Sequence, residues 1–330
     1  MRFVILGAGD QASIHARALQ STDAGKLVGV ASANVARTQA FARHFGIDAF
    51  ASPLDALNAE AIDAVIVATP TATHADLACQ ALSAGKHVFC ETPISLTLAE
   101  ADRMIDKATE MGRLLRIGLV HRFDAENCHV WKLLRSGSLG APLAVTTSRL
   151  TSPFWLRPGE RLDDRHHGDA IHELLAFDVE FLIWTFGMPS AVCARAVGGV
   201  GNALHVQACL AFDNLIAQCE ASQALPCPYP LTLETRAVSE RGFVRLKTVF
   251  DGEMAASGPL IDYEVHDGDG HVERLRLAPV NPWVAQLVDF MHAAQSGIGP
   301  SFASGEDGKR SLAVCLAIEE AARTGREIVL

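Results

Sequence analysis

Six short apolar runs punctuate the first 120 residues of this 330-residue chain: RFVIL (2–6), KLVGVAS (26–32), the minimal Ala49-Phe50, DAVIVA (63–68), KHVFC (86–90) and LLRIGL (114–119). Segments with helical apolar spacing lie between them, at 11–22, 35–46, 54–58, 72–83 and 97–111, and Gly25, Gly46, Gly85 and Gly112 follow as stops. Strands that alternate with helices on short connections run parallel, joined by crossover helices. Runs that are continuously apolar, not alternating, belong to a sheet covered on both faces. The pattern predicts a doubly wound α/β domain over residues 1–121.

Beyond residue 121 the texture changes. A helix is expected at 125–136, alternation typical of a strand at 143–150, and a long loop in TSPFWLRPGERLDDRHHG (151–168) before a helix at 169–186. Strand candidates at 190–197, 204–212, 215–221, 231–238, 242–249 and 272–277 then succeed one another with turn signals and no helix between them, which indicates an antiparallel sheet. Helices at 281–295 and 306–323 and a terminal strand, EIVL, complete a second domain over 122–330, of α+β type on an open, mainly antiparallel sheet.

The net charge of −10 argues against nucleic acid or an anionic membrane as partner, since either needs a basic face. No run approaches the roughly 18 apolar residues of a spanning helix. The N-terminus enters a strand and a glycine turn at once, without the features of a signal peptide. Eight cysteines, none in a C-x-x-C pair, sit mostly in apolar runs and read as reduced, packed thiols of a cytoplasmic protein.

Gly7-Ala8-Gly9-Asp10-Gln11-Ala12 is a G-x-G-x-x-A turn between the first strand and the first helix. Gly7 permits a tight turn, Gly9 lets backbone approach a pyrophosphate, and Ala12 keeps the helix close to the strand. The helix start, at Asp10 and Gln11, then offers free N–H groups and a positive dipole end to phosphate. A dinucleotide is the expected ligand. An acidic residue at the end of the second strand would hold the 2′-hydroxyl of NAD. This chain has Ser32-Ala33-Asn34 there, with Arg37 one turn on. No carboxylate repels a 2′-phosphate, Ser32 and Asn34 can donate to it and Arg37 can reach it, so NADP is favoured, with NAD possible.

The run KHVFC stops at Glu91-Thr92-Pro93. Pro93 forbids a central strand to continue, so a carboxylate and a hydroxyl are delivered to the strand tip.

With these residues in place, the chain resembles the glucose–fructose oxidoreductase/inositol 2-dehydrogenase (Gfo/Idh/MocA) family along nearly its whole length. The likeness is carried by VILGAGDQASIHARAL with His15 and Leu19, and by VIVATPTATHADLACQALSAGKHVFCETP with Pro70, His74 and Glu91. It continues in GLVHRFDAE with Arg122 and Phe123, and in FDVEFLIWTFGMP. The resemblance implies a Rossmann domain followed by a substrate domain whose open sheet makes a homodimer or homotetramer. It implies a coenzyme running over Gly7 and Gly9, past Thr69, Pro70 and His74, to Glu91 near the nicotinamide, with Arg122 among the coenzyme residues. It also implies a Glu-Lys-Pro motif and an Asp-x-x-x-His helix, which here become Thr92 for the Lys, Glu173 for the Asp and Phe177 for the His.

Thr92 can orient an oxygen but cannot titrate near neutral pH. Proton transfer is therefore expected from His172, Glu173 or His121. Asp169, His172 and Glu173 share one helix face, and His166 and His167 precede that helix. The same cluster does not match a recognised metal site, so no metal is expected. Arg149, Arg157, Arg161 and Arg165 nearly balance Glu160, Asp163 and Asp164, and Phe154 and Trp155 could cover a ring. The expected activity is hydride transfer between a nicotinamide and an alcohol or carbonyl of a small sugar, cyclitol or related cyclic substrate. The alternatives are a dehydrogenase of a carboxylated semialdehyde or hemiacetal, and a coenzyme-binding sensor without turnover.

Overall fold

The computed structural model describes residues 1–153, 169–199, 201–250, 258–296 and 302–330. His166, His167, Phe154, Trp155, Arg157, Glu160, Arg161, Asp163, Asp164 and Arg165 lie outside the described residues. The chain divides into two compact units, Met1–Asp124 with Val280–Leu312, and Ala125–Pro279 with Ala313–Leu330.

In the first unit, β1 (Arg2–Leu6), β2 (Lys26–Ala31), β3 (Asp48–Ala49), β4 (Ala64–Val67), β5 (His87–Cys90) and β6 (Leu115–Ile117) form a parallel sheet of six strands in the order β3-β2-β1-β4-β5-β6. The order reverses beside β1, which is where such a sheet opens a crevice at its C-terminal edge. The crossovers are α1 (Asp10–Gln20), α2 (Val35–Phe45), α3 (Pro53–Asn58), α4 (His74–Ser83) and α5 (Leu98–Glu110). Every residue of β4 is buried, as the continuous apolar pattern requires.

The first unit also takes in Val280–Leu312, a segment that the sequence reading with its division at 121/122 assigned to the second domain. α8 (Pro282–Ser296) buries Leu287, Phe290 and Met291 with Phe3, Ile5, Leu19 and Phe89 of the first unit. The Phe290 ring lies 6.0 Å from Phe3 and 5.9 Å from Phe89. An apolar helix face has to be covered, and the sheet face that covers α8 is far away in sequence.

The second unit begins with α6 (Ala125–Ser136) and β7 (Pro142–Leu150). Its helix at 169–186 is not uniform. Asp169 caps a π-helical turn, Ala170–Leu175, and α7 (Ala176–Phe186) follows. The strands β8 (Ala191–Gly199), β9 (Asn202–Phe212), β10 (Leu215–Ser222), β11 (Leu231–Ser239), β12 (Gly242–Phe250), β13 (Leu260–His266), β14 (Val272–Arg274) and β15 (Ile328–Val329) join β7 in a sheet of nine. Its order is β14-β13-β12-β11-β7-β10-β9-β8-β15, antiparallel except where β7 and β10 run parallel. β13 is absent from the sequence expectation because, of its seven residues, Tyr263 alone is buried, so it carries little apolar contrast. The final helix of the chain is α9 (Gly305–Thr324). Among the described residues no helix is long and apolar enough to cross a membrane.

Candidate active site

The turn after β1 is built from two glycines with different duties. Gly7 has φ +118°, and a Cβ there would stand 2.1 Å from the Ala68 carbonyl oxygen at the end of β4. Gly9 has ordinary φ and caps α1 without a side-chain hydrogen bond, and nothing among the described residues lies within 4 Å of its missing Cβ. Asp10 and Gln11 open α1, so their backbone N–H groups have no intrahelical acceptor. The uncapped, positive helix end faces an open groove of about 560 Å³ lined by the cap Gly9, Asp10 and Ser13 of α1 and Arg37, Phe41 and His44 of α2. A phosphate-bridged dinucleotide fits this cradle.

At the end of β2 the polar side chains are drawn into local structure. Asn34 caps α2, its Oδ1 accepting the Arg37 N–H at 3.0 Å. Ser32 Oγ accepts the Asn34 N–H at 3.2 Å and sits 2.7 Å from Thr38 Oγ1. Arg37 is exposed and lines the groove.

Glu91 stands at the tip of β5 and is buried. Its Oε1 pairs with His15 Nε2 from α1. Both carboxylate oxygens lie within 3.1 Å of the position a Cβ would take on Gly118, so that residue has to be glycine or the carboxylate must move. The Thr92 N–H lies 3.4 Å from Oε2. Thr92 itself is half-buried, and the Thr92–Pro93 peptide is cis.

His74, buried at the start of α4, places Nε2 2.8 Å from Thr69 O and Nδ1 2.8 Å from Pro93 O. It thus pins two sheet-edge turns together. Pro70 is exposed, and its carbonyl accepts from Thr73 Oγ1 at 2.8 Å. Arg122 is buried in the turn Val120–Phe123, with Nη1 3.3 Å from Asp307 Oδ2, and its neighbour His121 is half-buried.

The second unit carries a separate cluster. Asp169 Oδ1 accepts the Ile171 N–H at 2.8 Å, while its buried Oδ2 has no hydrogen-bond partner among the described residues. His172 Nε2 lies 3.3 Å from Glu319 Oε2 of α9, and Asp169, His172 and Glu319 bring one ligand-type atom each within 4.8 Å of one another. Desolvation, with the Glu319 charge adding to it, raises the Asp169 carboxyl from its ordinary value, against the pull of the Ile171 N–H and His172. Glu173 is exposed by surface area, yet desolvation by the protein around it, ahead of the Asp169 charge, lifts its carboxyl in the same direction. Phe177 lies with its ring centroid 5.0 Å from the Arg149 guanidinium carbon, whose Nε donates to Asp178 at 2.9 Å. Burial raises Asp178, against the pull of Arg149.

Residues 1–119 match the model of the Gfo/Idh/MocA oxidoreductases with their NAD-binding Rossmann fold, and residues 128–245 match the family's C-terminal domain. The chain belongs to this family. It is similar to a myo-inositol 2-dehydrogenase of Thermotoga maritima, 26% identical over 343 residues, covering 100% of this chain and 98% of that one. It also resembles an inositol 2-dehydrogenase of Rhizobium meliloti, 38% identical over 151 residues, or 45% of each chain. Among solved structures, an aldose-aldose oxidoreductase from Caulobacter crescentus superposes with TM-score 0.84 at 25% identity, covering 100% of this chain and 99% of that one. A UDP-N-acetylglucosamine 3-dehydrogenase from Acidithiobacillus ferrooxidans gives 0.80 at 27% identity, covering 98% of each.

As a Gfo/Idh/MocA protein, the chain is an NAD(P)-dependent oxidoreductase with an NAD-binding Rossmann fold. Its structure brings forward three residues that the sequence reading did not place in a site. His15 shares the buried face of α1 with Ala12, Ala16 and Leu19, so an ionisable residue on an apolar stripe was the available signal. Gly118 follows β6 and carries no motif of its own. Glu319 lies 147 residues from His172, and no local pattern links them.

Proposed function

We propose that this chain transfers a hydride between NADP and a ring carbon bearing a hydroxyl or carbonyl in a cyclitol, sugar or related cyclic substrate. The observation that carries the reading is the uncapped end of α1 over an open groove, with Gly9 bare, in a chain whose Gfo/Idh/MocA relatives are named for inositol and sugar oxidation. The nicotinamide, when bound, accepts or gives the hydride. The chain's residues do the rest. Gly7 and Gly9 bring backbone to the pyrophosphate, with Asp10 and Gln11 N–H groups facing it. Arg37 pairs with a 2′-phosphate, and the absence of a carboxylate at Ser32-Ala33-Asn34 leaves that charge unopposed. Thr69, Pro70, His74 and Arg122 shape the path to Glu91.

Thr92 replaces the family Lys, so its hydroxyl orients the substrate oxygen without titrating. His172 is the first acid–base candidate, through Nδ1, the ring nitrogen that Glu319 does not engage. Glu173, whose carboxyl desolvation raises, is the second acid–base candidate and His121 the third. Loss of general acid–base help costs about 10²–10⁴-fold. In turnover assays with NADPH or NADP and a panel of inositols, keto-sugars and semialdehydes, His172→Ala should therefore lower kcat by at least about 10²-fold. An unchanged rate would move the proton to Glu173 or His121. Tight coenzyme binding with no turnover on any substrate would favour the sensor, the reading that the missing Lys and His support.

The open sheet face supports a homo-oligomer. Val238, Ala144, Ile216 and Ala211 stand opposite one another on four neighbouring strands and make an apolar row. We place the protein in the cytoplasm. No disulfide forms among the described residues, which include all eight cysteines.

A further inference from the structure

His15 is a fully buried ionisable side chain that the hydride chemistry does not use. Phe89 and Trp283 hold its ring edge-on, with centroids 5.3 and 5.7 Å away. Aromatic neighbours on two sides fix the ring plane, so the direction of Nε2 is set by packing. That direction is toward Glu91 Oε1. The other nitrogen, Nδ1, is buried with no hydrogen-bond partner among the described residues.

The two nitrogens together select one tautomer. A proton on Nδ1 would be a buried donor with nothing to receive it, which costs more than an idle lone pair. A ring protonated on Nδ1 alone would also turn a lone pair toward the Glu91 carboxylate. The neutral ring protonated on Nε2 avoids both and donates a hydrogen bond to an ionised acceptor, the stronger kind.

Glu91 is confined in turn. Its side chain is 9% exposed. Gly118 closes one side at 3.0–3.1 Å from a Cβ position, and the Thr92 N–H approaches Oε2 at 3.4 Å, too long for a strong bond. Oε1 is thus engaged, and Oε2 keeps capacity for one good donor.

We propose that His15 is a positioning residue of the coenzyme site: its Nε2–H fixes Oε1 of Glu91 and so presents Oε2 as a preset acceptor for the carboxamide N–H of a nicotinamide. The inference rests on the coenzyme reading above. Without His15 the carboxylate would stay buried but lose the partner that sets its plane. Such a loss is read in affinity for the nicotinamide end before it is read in folding.

The test is NADPH titration of the full chain by fluorescence, for wild type, His15→Leu, His15→Gln, Glu91→Gln and the double variant His15→Leu/Glu91→Gln. Leu fills the space between Phe89 and Trp283 without a donor. Gln keeps an N–H near the Nε2 position. His15→Leu should weaken binding about tenfold or more, as loss of a charge-assisted hydrogen bond allows. His15→Gln should stay within about threefold, and the double variant should bind no more weakly than Glu91→Gln alone, because the two residues act through one contact. Equal losses for Leu and Gln, wild-type affinity in His15→Leu, or additive losses in the double variant would overturn the assignment. If His15→Leu does not fold, the 15N shifts of the wild-type imidazole decide. A neutral ring protonated on Nε2 at neutral pH supports the proposal, and a proton on Nδ1 overturns it. Wild-type protein that binds neither NADPH nor NADH would instead defeat the coenzyme reading itself.

Discussion

At the scale of single residues, the site depends on where a side chain is missing. Gly7 and Gly9 stand two positions apart and answer to different constraints. Gly7→Ala would put a methyl 2.1 Å from Ala68 O on a backbone with φ +118°. Steric overlap and left-handed strain together should cost about 3 kcal/mol or more in stability, read as a lowered urea midpoint. Gly9→Ala meets no atom and no strain, so it should fold with an unchanged midpoint and lose coenzyme affinity, because the methyl occupies the space of the phosphate. The reverse pattern, a stable Gly7→Ala and an unstable Gly9→Ala, would contradict the division of labour. Both glycines were legible in the sequence because a turn motif of fixed spacing names them. The His15–Glu91 pair was not, since its partners are 76 residues apart and nothing near Glu91 in the sequence points to His15.

At the scale of elements, strand pairing carries a pH dependence. His87 opens β5, and its Nδ1 accepts the Leu114 N–H at 3.1 Å just before β6. Burial, with Arg113 adding to it, pulls its pKa below the ordinary histidine value, against a weaker opposing pull from Asp63. The neutral ring is the one that accepts, so the unfolded chain binds the proton more readily than the fold does. The stabilisation is full above the unfolded value of about 6.5 and falls as pH drops through that value toward the folded one. Urea midpoints at about pH 7.5 and about pH 5.5 should therefore fall less in His87→Gln than in wild type. Equal falls would remove His87 from the account.

The parallel strands were legible because a sheet covered on both faces writes continuous apolar runs. α8 was legible as a helix but not in its destination, since nothing local in PWVAQLVDFMHAAQS says that Phe290 packs on Phe3. β13 left too faint a pattern, and no periodicity in the sequence sets the π-helical turn at Ala170–Leu175 apart from the helix that follows it.

At the scale of the whole molecule, association and coenzyme binding are the properties to measure. Ile216 is 62% exposed at the middle of the apolar row on the open sheet. Exposed apolar rows on a sheet face favour burial against a second copy. The wild-type chain should run as a dimer or tetramer by light scattering, and Ile216→Glu should shift it toward monomer. A wild-type monomer would contradict the proposed interface.

On the proposed function, the bare start of α1 and the tip of β5 hold a nicotinamide dinucleotide. Calorimetric titration of the purified chain with NADPH and with NADH tests it most directly. One coenzyme should bind per chain, NADPH more tightly than NADH, with Arg37→Ala narrowing the difference. Heats no larger than dilution for both coenzymes would contradict it.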